Sequence, residues 1–373
     1  MNTVTRTRIL LDIDTGVDDA LALAYALGSE SAEVCGVIAS YGNVNQATAL
    51  RNTRAVLEVL GRTDVPVYSG ATCPVWAQSF IPDAGCEAFH GANGLANLDA
   101  RDFGAQIDTR EPVQDPAPLI GTVSVGGYRD TDVHAQPASR IAVTRQRASQ
   151  ILSHGRTPSS EGARAIVDAV RTYGTDVTIV TCGPLTDVAD ALSLDPSIAK
   201  NLRVVFMGGA LTQPGNCYDG VSETNIIQDP EAADMLFHSG SCVTMVGLDV
   251  THQCILSASV SAAWRAQGRA RSSFLASVAD FGIHASMEGQ QAKAEGMPLH
   301  DPLAVAVAVD PTLVRCFDIS LQAQTAGHEP EVRGRTVGDA AGLNNPNAPV
   351  THVALAVDAR RFLSLFDAAV ASF

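Results

Sequence analysis

The eight cysteines of this 373-residue chain include no Cys-x-x-Cys pair, which argues against a zinc cluster, and they are too sparse for a disulfide-stapled secreted scaffold. Cys35, Cys182 and Cys242 lie inside or at the end of apolar runs and read as reduced core residues. No stretch reaches the roughly 18 apolar residues of a membrane span, and the opening MNTVTRTRILLDID carries no apolar leader segment, so a cytoplasmic protein is expected. Positive charge is also scarce: 25 Lys and Arg face 40 Asp and Glu, a formal charge of -15. A surface of that sign repels nucleic-acid phosphates and anionic headgroups, which removes nucleic acid and membrane from the expected partners. What remains is 46% hydrophobic and only 17% charged, the balance of a globular chain with a sizeable core. The excess carboxylates are the ligands that hard cations prefer.

Apolar runs of strand type alternate with segments of helical period. Arg8 to Ile13 precedes Asp18 to Leu27, and Glu33 to Ser40 precedes Asn45 to Leu60. The rhythm resumes with a helix over Ala163 to Tyr173, a strand over Val177 to Cys182, a helix over Leu185 to Leu194 and strands over Arg203 to Met207 and Ser241 to Val246. It closes with Val353 leading into a helix over Asp358 to Ala371. Continuous apolar runs such as VTIV and RVVFM suit strands covered on both faces. The fold class is therefore α/β, a mainly parallel central sheet flanked by helices in one domain over 1–373. From about 104 to 160 the chain is rich in Pro, Gly, Asp, Arg and Ser, and only Ile141 to Leu152 shows any period. This reads as a long insertion, a lid, an interface or a disordered segment.

Four carboxylates within eight positions, Asp12, Asp14, Asp18 and Asp19 in LLDIDTGVDDALAL, carry the chemistry. Alternate strand residues share a face, which directs Asp12 and Asp14 together to the carboxyl end of the first strand, where open α/β sheets bind ligands. Thr15 and Gly16 supply the turn, and Asp18 and Asp19 open the helix, where negative charge is favoured. Capping and turn roles explain any one of them but not all four, because clustered carboxylates repel unless a cation or protons neutralise them. An EF-hand does not fit, since no glutamate follows at the twelfth loop position.

The segment resembles the N-terminal signature of the nucleoside hydrolases of the inosine-uridine type. Further stretches agree in order and spacing: Gly42-Asn43-Val44, His90-Gly91, Cys182-Gly183-Pro184-Leu185-Thr186, Met207-Gly208-Gly209, Gly215-Asn216, Glu223-Thr224-Asn225 before Asp229-Pro230-Glu231-Ala232-Ala233, and His300-Asp301-Pro302. The resemblance implies the open α/β fold of that family and hydrolysis of ribonucleosides to free base and ribose in purine or pyrimidine salvage. It implies one Ca2+ held by Asp14, Asp19, the main-chain carbonyl of Cys182 and Asp301, with Asp18 as general base. By the same carry-over Asn43, the Met207 main chain, Asn216, Glu223, Thr224 and Asn225 bind the ribose, Glu223 and Asn225 lying two apart on an extended segment and so on one face, although Thr224 stands where an apolar residue is expected. Asp12 orients the ligands. His300 protonates the departing base, with His90 and His284 as the alternatives lining the base pocket and His252 ambiguous. Trp264 either stacks on the base or fills a helix face. A homodimer or homotetramer is implied.

Two other readings compete. A phosphohydrolase of the haloacid dehalogenase type also ends its first strand in Asp-x-Asp but wants a lysine for the phosphate, and the lysines here are Lys200 and Lys293 alone. A non-catalytic nucleoside- or calcium-binding protein of the same fold would not need the base and acid that this chain carries. Base preference rests with loops around 76–95 and 255–297.

Overall fold

Each long central strand alternates its side chains between two cores, which is why its apolar run is continuous. In β1 (Thr7–Ile13) Ile9, Leu11 and Ile13 enter one core and Leu10 the other. In β5 (Arg203–Met207) Val205 and Met207 oppose Val204 and Phe206 in the same way. The computed structural model describes residues 6–113, 160–288, 296–325 and 332–373.

Together with β2 (Ala32–Ala39), β3 (Val67–Ser69), β4 (Val177–Thr181), β6 (Cys242–Val246), β9 (Val314–Ile319) and β12 (Thr351–Val357), these strands form an eight-stranded sheet of order β3-β2-β1-β4-β5-β6-β12-β9. Every neighbouring pair is parallel except β12 and β9. Two short pairs lie outside it, β7 (Ile255–Leu256) with β8 (Met297–Pro298) and β10 (Leu321–Ala323) with β11 (Thr336–Gly338).

Beyond Asp18 and Asp19 in its first turn, helix α1 (Val17–Gly28) is apolar all round because it is enclosed all round: Val17 through Ala26 are buried. It lies among three later helices, Ala270–Glu288, His300–Val309 and Ala359–Val370. On the opposite side of the sheet, helices Glu161–Tyr173, Thr186–Leu194 and Pro230–Phe237 pack over Leu10, Val177, Ile179 and Phe206. Chain order runs from β1 out to β3 and then returns to β4 on the other side of β1. The strand order thus reverses between β1 and β4, and the crevice at their carboxyl ends is where such sheets bind ligands.

The expected α/β alternation is present, with several departures. Cys242, expected in the core, is exposed, being the first residue of β6. Strands β9, β10 and β11 were not expected; four of the six residues of β9 are exposed, as befits the outermost strand of the sheet, so no alternation marked it. Of the insertion, residues 104–113 run over helix α2 (Gln46–Leu60), where Glu58 accepts the Gln106 amide and the Thr48 hydroxyl accepts the Val113 amide. Residues 114–159, including the periodic stretch Ile141 to Leu152, lie outside the described residues, as does Lys293. No helix among the described residues is long and apolar enough to cross a membrane.

Candidate active site

At the end of β1 the chain turns into α1, and the turn is held by its own carboxylates. Asp19, in the first turn of the helix, accepts the Gly16 amide at 2.7 Å and the Asp14 amide at 3.3 Å, reaching back to cap the donors that a helix start leaves unpaired. Asp14 lies one residue past the strand, and its Oδ2 accepts the Asn43 amide at 2.6 Å. The Asn43 side chain donates to Asp19 Oδ2 at 3.0 Å, so one asparagine from the loop after β2 ties the two acids together. Glycine is required beside them: a Cβ on Gly42 would stand 1.9 Å from Asp14 Oδ2, and one on Gly16 would stand 2.3 Å from His90 Nδ1.

Asp301, two residues into the helix His300–Val309, comes to the same place. Asp18, Asp19 and Asp301 each offer an oxygen, and these lie within 4.8 Å of one another. All three residues and Asp14 are buried. Among the described residues Asp14 Oδ1 and Asp18 Oδ1 are buried without a hydrogen-bond partner, an arrangement that costs free energy unless something else satisfies them. An all-oxygen donor set with unpartnered buried oxygens fits a hard divalent cation. The acidic cluster can therefore hold a metal ion.

Burial raises every acid here. Asp18 and Asp19 rise to about 6, and Asp14 and Asp301 well above the usual carboxylate range, with neighbouring carboxylates adding to the effect at Asp14, Asp19 and Asp301. Glu223 rises to about 7, again through burial. Unfolded, the aspartates titrate at 3.8 and glutamate at 4.5, so in this window the folded protein binds more protons than the unfolded chain. The stability these groups contribute is complete below about pH 4 and is lost as pH rises through about 6 to 7. In chelator the melting temperature falls across that window. With a divalent cation added the curve separates upward as the acids ionise, because the cation needs their charge. Parallel melting curves with and without cation from pH 4.5 to 7.5 would contradict a metal site here.

Asp12 is buried, and both its carboxyl oxygens lack a partner among the described residues. Burial and then the charge of Asp187 hold its acid well up, and its main-chain carbonyl accepts the Cys182 amide at 2.8 Å. The Cys182 carbonyl accepts from Asn225 Nδ2 at 2.7 Å, and the same amide reaches the Met207 carbonyl at 3.1 Å. Glu223 and Asn225 do not share an extended segment as expected. Glu223 is the N-cap of a short helix, Thr224–Gln228; its Oε2 accepts from Asn225 and Ile226 and also from the Gly209 amide. Two residues apart across a helix start, these side chains serve different partners. Asn216 Oδ1 accepts from both the amide and the hydroxyl of Thr224, which gives the polar residue at 224 a partner.

His90 stands over the turn. Its Nδ1 accepts the Val17 amide at 3.0 Å, so Nε2 carries the proton. The 3.8 Å approach to Asp18 Oδ1 is not an ion pair, because burial lowers His90 to about 4 and leaves it neutral near pH 7. His300 Nδ1 is 2.8 Å from the Thr251 hydroxyl, and the His252 ring meets it edge-on at 5.6 Å between centroids. His284 is exposed, with its Nε2 3.3 Å from Glu288 one turn on along its own helix. Trp264 fills the core and donates to Asp367. The Thr251 contact, and the Tyr41, Thr186 and Asp229 contacts described below, were not foreseen. They join residues far apart in sequence, and no local spacing announces them.

Fold and site together define an open α/β enzyme whose switch-point crevice presents a buried carboxylate cluster able to hold a metal ion. The family described as inosine-uridine preferring nucleoside hydrolase matches residues 9–364. The chain is 32% identical over 360 residues to the pyrimidine-specific ribonucleoside hydrolase RihA of Escherichia coli, covering 96% of each. It is 29% identical over 326 residues to a probable uridine nucleosidase 2 of Arabidopsis thaliana, 86% of this chain and 83% of that one. The purine-preferring ribonucleoside hydrolase from Gardnerella vaginalis superposes with a TM-score of 0.78 at 36% identity over 98% of both chains. The chain belongs to the inosine-uridine preferring nucleoside hydrolase family. It is a nucleoside hydrolase, an enzyme that cleaves ribonucleosides in nucleoside salvage.

Proposed function

We propose that the cluster holds Ca2+ through Asp14, Asp19, Asp301 and the Cys182 carbonyl, and that Asp18 takes the proton of the water that attacks the N-glycosidic bond. The carrying observation is the set of four buried carboxylates with two oxygens, Asp14 Oδ1 and Asp18 Oδ1, that have no partner among the described residues. A bound divalent cation acidifies water in contact with it and neutralises the carboxylates. Asp18 then needs little basicity of its own. Positive charge grows on the sugar as the bond to the base breaks, by analogy with glycosides, and the surrounding carboxylates favour it. Asn43, Asn216, Glu223, Thr224, Asn225 and the Met207 main chain bind the ribose hydroxyls in this reading, and Asp12 orients the strand end. His90 lines the pocket and His300 serves the leaving base. The enzyme works in the cytoplasm as a homodimer or homotetramer.

The grouping of Asp18, Asp19 and Asp301 within 4.8 Å favours a second reading. There Asp18 joins the ligands, and Asp14 is the base.

Reducing sugar released from inosine, uridine, cytidine, adenosine and guanosine, with calcium or with chelator, tests both. Activity appears only with the cation, and calcium at about 100 times its Kd raises stability by about 2.7 kcal/mol. Asp19→Ala and Asp301→Ala each lose calcium, by calorimetry, together with activity. A variant that keeps stoichiometric calcium and a near-normal rate is no ligand variant.

A further inference from the structure

We infer that Asp229, with its neighbour Gln228, is a positioning residue for the acidic site, fixing the Tyr41–Asn43 loop whose last residue hydrogen-bonds Asp14 and Asp19. Asp229 itself touches none of those acids. It is fully buried and, as a carboxylate, can only accept. Its Oδ1 accepts the Ala232 amide at 3.2 Å, the ordinary bond of a helix N-cap. Its Oδ2 does something a cap does not need: it accepts the Val75 amide at 2.9 Å and the Thr186 hydroxyl at 2.6 Å.

Because Thr186 gives its single hydroxyl proton to Asp229, the 2.7 Å contact between Thr186 Oγ1 and the Tyr41 phenol runs in one direction only, with Tyr41 donating. The relay is ordered, Tyr41 to Thr186 to Asp229. Beside it, Gln228 Nε2 donates to the Gly42 carbonyl at 3.3 Å. Two consecutive residues therefore fix Tyr41 and Gly42. The next residue is Asn43, whose amide and side chain hold Asp14 at 2.6 Å and Asp19 at 3.0 Å. Gly42 leaves no slack between the two, since a Cβ there would stand 1.9 Å from Asp14 Oδ2. A shift of the loop is a shift of the carboxylates.

The inference rests on the site reading above. It is tested in the full-length protein with calcium by Thr186→Val, which keeps the shape and removes the hydroxyl, and by Thr186→Ser, which keeps the hydroxyl. Misplacing a reacting group costs rate more than binding, so Thr186→Val lowers kcat by about tenfold or more with KM changed less than about threefold. Thr186→Ser returns kcat to within about threefold of the parent, the hydroxyl relay being restored. Tyr41→Phe repeats the loss, and it carries the test should Thr186→Val not fold. Equal effects of valine and serine at 186, or a lowered melting temperature with the parent's kcat, overturn the positioning role and leave Asp229 a helix cap. The site reading fails separately: Asp19→Ala and Asp301→Ala would then stay active whatever the relay variants do.

Discussion

Asp18→Asn lowers kcat by about 10² to 10⁴, the usual contribution of a general base, with little change in KM. The amide keeps the size of the side chain and can still hydrogen-bond a ribose hydroxyl, but it cannot take a proton from water. Asp14→Asn is the paired measurement. In the reading proposed above it removes a charged ligand, so calcium affinity and activity fall together. In the second reading the pattern inverts: Asp14→Asn keeps calcium and loses kcat, and Asp18→Asn loses calcium. Calorimetry and steady-state kinetics on the two variants therefore decide the assignment. A loss smaller than about tenfold in both variants is too little for a general base and removes both residues from that role.

Asp14 and Asp18 share the same kind of surroundings. Both have one buried oxygen without a partner among the described residues, and burial is the largest cause of the raised acid at each. Their hydrogen bonding differs. Asp14 Oδ2 is fixed by the Asn43 amide, so its free oxygen has a set direction. Asp18 instead lies beside Asp301, whose acid is held well up by burial and by the charges of Asp18, Asp19 and Asp14. A cation shared by Asp18 and Asp301 would relieve that repulsion. The crowding of Asp18 against Asp301 favours Asp18 as a ligand and Asp14 as the base.

The sequence carried the sheet's parallel part in plain form, because β1, β4 and β5 face a core on each side and read as unbroken apolar runs. It carried the acids for a related reason: charge clustered inside such a run has no structural explanation. The outer antiparallel strand β9 faces solvent over most of its length and left no such trace. The helix start at Glu223 was read as extended chain, since an acidic residue can cap a helix or sit on a strand and five residues of helix are too few to show a period. The relay through Asp229 was invisible for a different reason. In sequence an Asp-Pro pair opening a helix signals only a cap, and the bonds to Val75 and Thr186 depend on which loops the finished fold brings to that cap.

His300→Ala slows hydrolysis of inosine or uridine by about 10² or more and leaves p-nitrophenyl riboside nearly unaffected, because a nucleobase anion needs a proton or a strong hydrogen bond to depart and nitrophenolate does not. In the role proposed for it, His300 is a neutral hydrogen-bond donor. Burial, then His252 and His90, lowers it to about 3, so the ring is neutral at neutral pH before substrate arrives. A neutral imidazole donates from one nitrogen only. If the Thr251 hydroxyl donates to Nδ1, then Nε2 carries the hydrogen; if Nδ1–H donates to Thr251, Nε2 has none to give. Negative charge developing on the departing base makes it a stronger acceptor, so the hydrogen bond from Nε2–H strengthens as the bond breaks while the ring keeps its proton. The variant must also be checked for calcium, because His300 precedes Asp301 in the same helix turn and a disturbed turn would move that carboxylate. Loss of calcium with equal slowing of both substrates means that the turn was damaged. Equal slowing with calcium affinity intact removes His300 from leaving-group chemistry and passes the role to His90, whose Nε2 carries a proton beside the same cluster.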